Sequence, residues 1–431
     1  MTAQLKIRRN VITAVVAFSI NIVLTFVGFR LVIQQGGTAA LGLWAALTAS
    51  IYVIRLGDVG MGGAVEKHIA AVDAKEKPQL IRGYLDTALL LNTVLFVGLA
   101  AIGWFVLSDR IGWFVPGDAT AQAEALKILP LVLIGFVVFN LANVISGGLR
   151  GLHMGWLAAY LSVAGALLQM GLIVALVPEL GVEGLAWAQL AQNVLIGLTA
   201  WIFFNSHLIK NSSIRLSALP VTGSRILLRE LFSFSIRAQA VNLVNGILEP
   251  VSKLMVGHSA GLNVLGIFEM AYKIVSLPRS AVVSGVLGMT PAMTRLLVSE
   301  PNEALRLYRR ALKLVALGTG AVLVLVIIGA PLASIVLLGH IDTTLIAFVA
   351  IMAAGFWINA VGAPAYAVGF AAGRMGANLV SAILSLACVV TLGKSLQIFM
   401  PVFGPVVASA TGLAVGGFFI LWRNQRLLIK R

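Results

Sequence analysis

The sequence predicts an all-α membrane protein of about twelve transmembrane helices, built as two six-helix lobes related by a pseudo-twofold axis along the membrane normal. Of its 431 residues, 59% are apolar and 11% are charged, and the mean hydropathy is +0.99. A soluble domain carries roughly 25% charged residues. The apolar residues form runs long enough to cross a bilayer, and the two halves of the chain resemble each other in order. These observations together predict the fold class.

Apolar runs of about 20 residues, the length a helix needs to cross the hydrocarbon core, recur along the whole chain. In the first half the predicted spans are 11–33, 38–56, 83–107, 127–149, 156–177 and 185–204. In the second half they are 231–256, 262–288, 311–330, 343–368, 376–393 and 403–422. The first run is too long for a signal-peptide core and is therefore interpreted as a spanning helix. We predict an N-terminal lobe at 1–205, a cytoplasmic linker at 206–230 and a C-terminal lobe at 231–431.

The positions of the basic residues predict the orientation. Of the 31 lysines and arginines, five lie inside spans, namely Arg30, Arg237, Lys253, Lys273 and Arg279, and three, Arg110, Lys127 and Lys394, lie in loops or at span ends on one side. The remaining 23, which include Arg55 and Arg82, lie in loops or at span ends on the other side, which is therefore predicted to be cytoplasmic. With an even number of spans, both termini are predicted to be cytoplasmic. The net charge of +15 is explained by this orientation, so no nucleic-acid partner is expected.

A weak internal repeat relates the two halves. The segment 40–44 (ALGLW) resembles 264–268 (VLGIF) at an offset of 224, and Met154-Gly155 resembles Met375-Gly376 at an offset of 221. Six crossings return the chain to the side from which it started, so both halves have the same orientation. This pattern indicates parallel repeats with a substrate site between them.

Motifs of the common catalytic and metal sites are missing from the sequence. It contains neither a GxxxxGK[ST] phosphate loop nor an HExxH metal motif. The single cysteine, Cys388, excludes an internal disulfide. We therefore predict no catalytic residue, no metal and no cofactor, and a protein that is not an enzyme.

Cations inside the predicted spans are the most informative residues, because charges at membrane depth are costly and usually face a partner or a wet cavity. Arg30 and Lys253 are related by an offset of 223, and Arg55 and Arg279 by an offset of 224. With Lys273, they would place positive charge at two levels of a path between the lobes, which suits an anionic cargo such as a pyrophosphate or acidic sugars. For Arg30 and Arg55, the alternative is that they extend to the lipid head groups.

Acidic residues lie beside two of these cations. Glu249 and Lys253 are spaced i,i+4, as are Glu269 and Lys273, so each pair could neutralise itself on one helix face. The alternative interpretation is that these pairs only make the helices insertable. Asp58, Glu249 and Glu269 are candidates to carry a coupling proton or sodium ion, and the sequence does not choose between the two ions.

Four short segments resemble the polysaccharide flippase family of the O-antigen type, within the superfamily that also holds multidrug and toxin extruders and lipid II flippases. They are LGDVGMG at 56–62, GLRGL at 148–152, GVEGLAWA at 181–188 and LGIFEMAYK at 265–273. The resemblance covers the whole chain. It implies a V-shaped pair of lobes, alternating access and a cationic central cavity. Arg30, Arg55 and Arg279 are comparable in helix and rough depth to the cavity arginines of lipid II flippases.

The resemblance also implies a function. The expected activity is transfer of an undecaprenyl-pyrophosphate-linked oligosaccharide from the cytoplasmic to the outer leaflet of a bacterial inner membrane. Its expected partners are membrane lipids and the other proteins of a polysaccharide pathway, such as that of lipopolysaccharide O-antigen. Two alternatives stay open. A multidrug extruder of the same fold would favour an acidic, aromatic cavity, and a membrane-embedded polysaccharide polymerase or ligase would favour a large external loop.

Overall fold

The computed structural model describes residues 3–54, 60–73, 76–117, 119–211 and 223–429. Within these ranges the chain is helical between short turns, and no strand is present, which confirms the predicted all-α class. The helices of this part of the chain are α1 (Ala3–Ile54), α2 (Met61–Ala70), α3 (Pro78–Asp109), α4 (Ile111–Phe114), α5 (Ala119–Gly151), α6 (Gly155–Leu180), α7 (Val182–Asn211), α8 (Arg225–Leu287), α9 (Thr290–Ser299), α10 (Pro301–Leu338), α11 (Thr343–Val361), α12 (Ala363–Ala371), α13 (Gly376–Phe399), α14 (Gly404–Asn424) and α15 (Arg426–Ile429).

Ten helices of the described ranges are long and apolar enough to cross a membrane. Two of these segments, Ile12–Tyr52 with 41 residues and Gly246–Ser299 with 54, are long enough to cross twice. Each is interrupted by a glycine with non-helical backbone angles, Gly37 (φ 69°, ψ −174°) in α1 and Gly261 (φ 80°, ψ 176°) in α8. Counting the segments on either side of each glycine separately turns ten candidates into the twelve predicted spans.

Gly261 marks a reversal of the chain. Residues 249 and 273 are 24 positions apart, which would separate them by about 36 Å in a straight helix. Their side chains instead form an ion pair of 2.8 Å, and Lys253 pairs with Glu269 at 2.7 Å. Both pairs are symmetric in sequence about Gly261. The two segments of α8 therefore run antiparallel, as a helical hairpin whose turn uses backbone angles that only glycine adopts readily.

The order of helices is repeated in the two halves of the chain. Gly37 and Gly261 share nearly the same backbone angles at the predicted offset of 224. The short helices α2 and α9 both have ten residues and follow the second predicted span of their half. His153 (φ 59°) and Gly373 (φ 66°) take left-handed angles shortly before Met154 and Met375, which the sequence comparison had matched. The repeat thus extends from sequence to local backbone geometry.

The chain divides into two compact units. Unit 1 comprises Met1–Gly36, Ser50–Phe114 and Asp118–Ala240, and unit 2 comprises Gly37–Ala49, Val115–Gly117 and Val241–Arg431. This division differs from the predicted lobes, because two segments of the first half belong to unit 2. The predicted linker at 206–230 is also helical at both ends, in α7 and α8, while its residues 212–222 lie outside the described ranges.

Close backbone packing explains why residues 37–49 belong to unit 2. A Cβ on Gly42 would collide with the carbonyl oxygen of Leu262, and a Cβ on Gly266 would collide with that of Thr38. The Thr38 hydroxyl also donates to the Asn263 side-chain oxygen at 2.9 Å. Only glycine at positions 42 and 266 lets these helix segments approach so closely.

Each unit has an apolar core of its own. In unit 1, α2, α3, α5, α7 and the start of α8 contribute buried side chains that include Met61, Leu85, Leu149, Phe204 and Leu231. In unit 2, α9, α10 and α12 pack around Met293, Leu297, Tyr308, Ala365 and Val368. The short helices α2 and α9 are thereby anchored by their apolar faces.

Candidate functional site

A chain of three ion pairs crosses the hairpin of α8 in unit 2. The ammonium of Lys253 lies 2.7 Å from a carboxylate oxygen of Glu269 and 2.7 Å from one of Glu249. The same Glu249 oxygen lies 2.8 Å from the ammonium of Lys273. Lys253 and Glu269 are buried, with 7% and 8% of their side chains exposed, whereas Glu249 and Lys273 are 30% and 27% exposed. This ion-pair chain therefore has a buried end, at Lys253 and Glu269, and an accessible end, at Glu249 and Lys273.

Only one of the two expected i,i+4 pairs is present. Glu249 pairs with Lys253 as predicted, but Glu269 and Lys273 form no ion pair with each other. Each bonds instead to the opposite segment of the hairpin. The physical reason is the reversal at Gly261, which places 249 opposite 273 and 253 opposite 269.

The two positive and two negative charges of the ion-pair chain cancel each other. Lys253 is held between two carboxylates, which offset the large desolvation penalty of a buried ammonium. Lys253 and Lys273, both predicted to bind substrate, are thus ion-paired cations that also join the two segments of the hairpin. An anion could approach only the accessible end, at Glu249 and Lys273.

Arg279, on the second segment of α8, is in a different environment. Its Nη2 donates to the side-chain oxygen of Asn359 on α11 at 2.6 Å, and its guanidinium carbon lies 5.7 Å from the ring centre of Phe356. Its Nε is buried without an acceptor in the described part of the chain, where Arg279 also forms no ion pair. Arg279 is therefore a partly buried cation that no described carboxylate neutralises.

Aromatic contacts fix the position of this helix segment against α11. Tyr272 packs edge-to-face on Phe356 with ring centres 5.2 Å apart, and Phe268 packs on Phe348 at 6.3 Å. All four side chains are buried. Such pairs are stabilising beyond the area they bury, so they help to hold this segment of α8 against α11.

The remaining predicted site residues lie elsewhere or are not described. Arg30 is partly buried in α1 and belongs to unit 1. Arg55 and Asp58 lie outside the described residues. The structure thus brings together Glu249, Lys253, Glu269 and Lys273, with Arg279 on the same helix.

Two polar groups were missed by the sequence reasoning. Asn359 is a neutral side chain inside an apolar span, and only its polarity at that depth signals it. Arg82 was placed in a cytoplasmic loop, but α3 begins at Pro78 and buries it. Arg82 there pairs with Asp86 at 2.6 Å, bonds to Asn205 and lies 4.4 Å above the ring of Trp201. The i,i+4 spacing of Arg82 and Asp86 was the available signal.

No group of three or more His, Cys, Asp or Glu side chains that could hold a metal ion occurs among the residues with described positions.

Comparison with known proteins points to one family and one fold. The profile of a family described as "Polysaccharide biosynthesis protein" matches residues 41–343. No curated protein matches the chain. Among solved structures, the fold is similar to an inward-facing multidrug resistance MATE family transporter of the MOP superfamily, with a TM-score of 0.78, 18% identity, and coverage of 97% of this chain and 98% of that one.

Two further structures show the same fold. An outward-facing multidrug resistance MATE family transporter matches with a TM-score of 0.67 and 20% identity, over 99% of this chain and 96% of that one. A MOP superfamily transporter from Pyrococcus furiosus, whose reversed binding-pocket polarity is said to suggest a different function, matches with a TM-score of 0.67 and 19% identity over 98% and 95%. The chain therefore has the two-lobe fold of MOP superfamily transporters.

Proposed function

Because the chain belongs to the polysaccharide biosynthesis protein family, we propose that it is a flippase for a lipid-linked oligosaccharide of the undecaprenyl-pyrophosphate type. It would move this cargo from the cytoplasmic to the outer leaflet of a bacterial inner membrane by alternating access. The observation that carries the proposal is the combination of a glycan-biosynthesis family with the fold of a membrane transporter. A transporter serves glycan synthesis most directly by carrying an intermediate across the bilayer.

Arg279 is the residue best suited to meet the anionic head group of this cargo. A guanidinium presents N–H donors in a planar fork that matches two phosphate oxygens. Its buried Nε has no acceptor in the described part of the chain, and a buried donor of this kind calls for an explanation. A phosphate oxygen of the bound cargo would be the acceptor for this N–H group. Arg30 and Arg55 remain proposed as further cations of the same path.

The accessible end of the ion-pair chain suits a coupling ion. A proton bound by Glu249 would weaken its bonds to both lysines, and Lys273 would then be available to an anion. Glu269 and Asp58 are proposed as alternative carriers, for a proton or a sodium ion. The termini are proposed to be cytoplasmic, and the pathway partners to be the enzymes that build and consume the lipid-linked glycan.

A multidrug extruder is the second candidate, because the similar solved structures include multidrug resistance transporters. Within residues 246–287 of α8, two acids face two lysines, and Arg279 adds a cation. A cavity for cationic drugs would require the opposite balance of charge. The charge of this helix therefore favours an anionic cargo.

Deletion of the gene and complementation with variants tests the proposal. We expect the deletion to remove surface polysaccharide and to accumulate its lipid-linked precursor, and the wild-type gene to reverse both effects. Arg279→Ala should fail to complement, and Arg279→Lys should complement in part because it keeps the charge without the fork. Arg306→Ala, at an exposed pair with Glu303, is the matched control and should complement fully.

Protein level in the membrane is measured for every variant. Normal surface glycan in the deletion strain, accompanied by increased sensitivity to cationic drugs, would contradict the flippase proposal and support the extruder.

A further inference from the structure

Unit 2 contains a basic pocket that is separate from the ion pairs of α8. The pocket has a volume of about 580 Å³ and lies between α9, the turn from α12 to α13, and the ends of α14 and α15. Three arginines line it, Arg374, Arg423 and Arg426, together with polar Thr294 and Asn424 and apolar side chains such as Leu297. All three arginines are exposed, so their guanidinium groups are available to a ligand.

In the part of the chain that the structure describes, no carboxylate neutralises the positive charge of this pocket. None of the residues that line it is acidic, and none of the three arginines forms an ion pair with any residue whose position is described. Three guanidinium groups around one cavity repel one another unless an anion lies between them. The pocket therefore has the charge of an anion site.

Local structure positions two of the arginines. Gly373, with φ 66°, ends the turn after α12, and the Arg374 backbone N–H donates to the Gly369 carbonyl at 2.9 Å. The Arg426 guanidinium lies 4.1 Å from the ring centre of Trp422, one turn earlier on the chain. Stacking on an aromatic ring limits the freedom of a guanidinium while leaving its N–H edge free to donate.

The corresponding helices of the first half carry an ion pair. There, Arg150 at the end of α5 pairs with Glu66 of α2 at 2.7 Å. The sixth residue of the matching helix α9 is Arg295, where α2 has Glu66. The internal repeat thus has an ion pair in one copy and, among the residues that the structure describes, arginines without an ion pair in the other.

The surroundings of the pocket suit a lipid. All three arginines lie on the side that the distribution of basic residues predicts to be cytoplasmic. On α9, which borders the pocket, Met293 and Leu297 are buried, but Val298 is 84% exposed. Basic pockets between helix ends on this side of a membrane bind anionic head groups.

We propose that this pocket binds a phosphate-bearing anion, and that its source is the head group of an anionic membrane phospholipid. The arginines donate to the phosphate oxygens, while the acyl chains remain in the bilayer beside α9. The proposal does not depend on the identity of the transported cargo. Free phosphate or pyrophosphate shares the same chemistry and is the other source to be distinguished.

Binding of phosphatidylglycerol to the purified full-length protein, followed by native mass spectrometry, tests the proposal. We expect the triple variant Arg374→Gln, Arg423→Gln, Arg426→Gln to bind at least about tenfold more weakly than wild type, because several charge-assisted hydrogen bonds are lost. The matched control is Arg306→Gln, Arg309→Gln, Arg310→Gln, which removes the same charge from exposed positions of α10 and should bind within about twofold of wild type.

A second titration uses inorganic pyrophosphate on lipid-depleted protein. If only this probe distinguishes the pocket variant from wild type, the phosphate chemistry is upheld and the lipid source is rejected. Equal binding of both probes by wild type and the pocket variant overturns the proposal. Should the triple variant fold poorly, the single change Arg374→Gln, at an exposed turn, is expected to weaken binding about threefold or more, and no change would count against the site.

Discussion

At the scale of single residues, the ion-pair chain of α8 is the feature with the clearest energetic consequence. Lys253 is buried between Glu249 and Glu269, and its removal would leave Glu269 as an unpaired buried charge. Breaking a buried pair in this way costs about 3–5 kcal/mol, whereas replacing both partners together costs much less. The protein is thus destabilised when one partner of a buried pair is removed, and much less when both partners are replaced.

We therefore predict that Lys253→Met lowers the thermal stability of the purified protein by an amount equivalent to about 3–5 kcal/mol. The double variant Lys253→Met, Glu269→Gln should recover a large part of the loss, because Glu249 retains Lys273 as its partner. The control Arg306→Ala breaks an exposed pair and should cost less than about 1 kcal/mol. Equal losses in Lys253→Met and Arg306→Ala would show that Lys253 is not held in the observed pairs.

The sequence identified the charged residues of this cluster but not all of their partners. Spacing along one helix predicts i,i+4 pairs, and it found Glu249 with Lys253. The partners of Lys273 and Glu269 depend on which residues lie opposite each other across the hairpin, and this register is set by the turn at Gly261 and leaves no periodic pattern in the sequence. Asn359 is 80 positions from Arg279 in sequence, so no local rule could connect them.

At the scale of secondary-structure elements, two glycines turn long helices into hairpins. The backbone angles of Gly261 lie in a region that is essentially restricted to glycine. No atom lies within 4 Å of a Cβ built at this position. A substitution there would therefore be opposed by backbone strain alone.

Gly261→Ala should consequently destabilise the protein by about 1–3 kcal/mol, measured as a decrease in melting temperature. Gly285→Ala provides the control, because this glycine lies in the same helix, has helical angles and is equally open. It should be neutral or stabilising by up to about 1 kcal/mol. If both variants had the same melting temperature, the sharp turn at Gly261 would be refuted.

Apolar run lengths predicted most of these elements, and the break between the first two spans of each half was placed within a few residues of Gly37 and Gly261. Helix ends were less predictable. The sequence predicts Arg82 in a loop, but it is buried in α3, where Asp86, Asn205 and Trp201 compensate its charge. These contacts arise from tertiary packing between distant helices, so the sequence around Arg82 cannot predict them.

At the scale of the whole molecule, residues 37–49 lie in the same compact unit as the second half of the chain. Six-helix lobes were predicted from the linker and the repeat, and neither reveals that the beginning of one span packs on the other half. The observations that reveal it are the Gly42 and Gly266 contacts and the Thr38–Asn263 hydrogen bond. If the predicted lobes 1–205 and 231–431 move as rigid bodies, alternating access separates this packing during each transport cycle.

A disulfide between Thr38→Cys and Asn263→Cys, introduced in a Cys388→Ala background, should therefore abolish transport, and its reduction should restore it. The adjacent hydrogen-bonded side chains are close enough for a bridge after small adjustments. Each single-cysteine variant, treated with the same oxidant, is the control and should remain active. Full transport by the bridged protein would show that this contact does not open during the cycle.

Translocation of a pyrophosphate-linked oligosaccharide by the purified protein in liposomes tests the central claim most directly. The measurement follows a fluorescent undecaprenyl-pyrophosphate-linked oligosaccharide as it becomes accessible to an impermeant quencher on the opposite leaflet. We expect the protein to accelerate the appearance of this lipid on the opposite leaflet. It should not change the rate at which a matched glycolipid without the phosphates appears there. Translocation no faster than in protein-free liposomes, or transport of a cationic dye in its place, would contradict the proposed function.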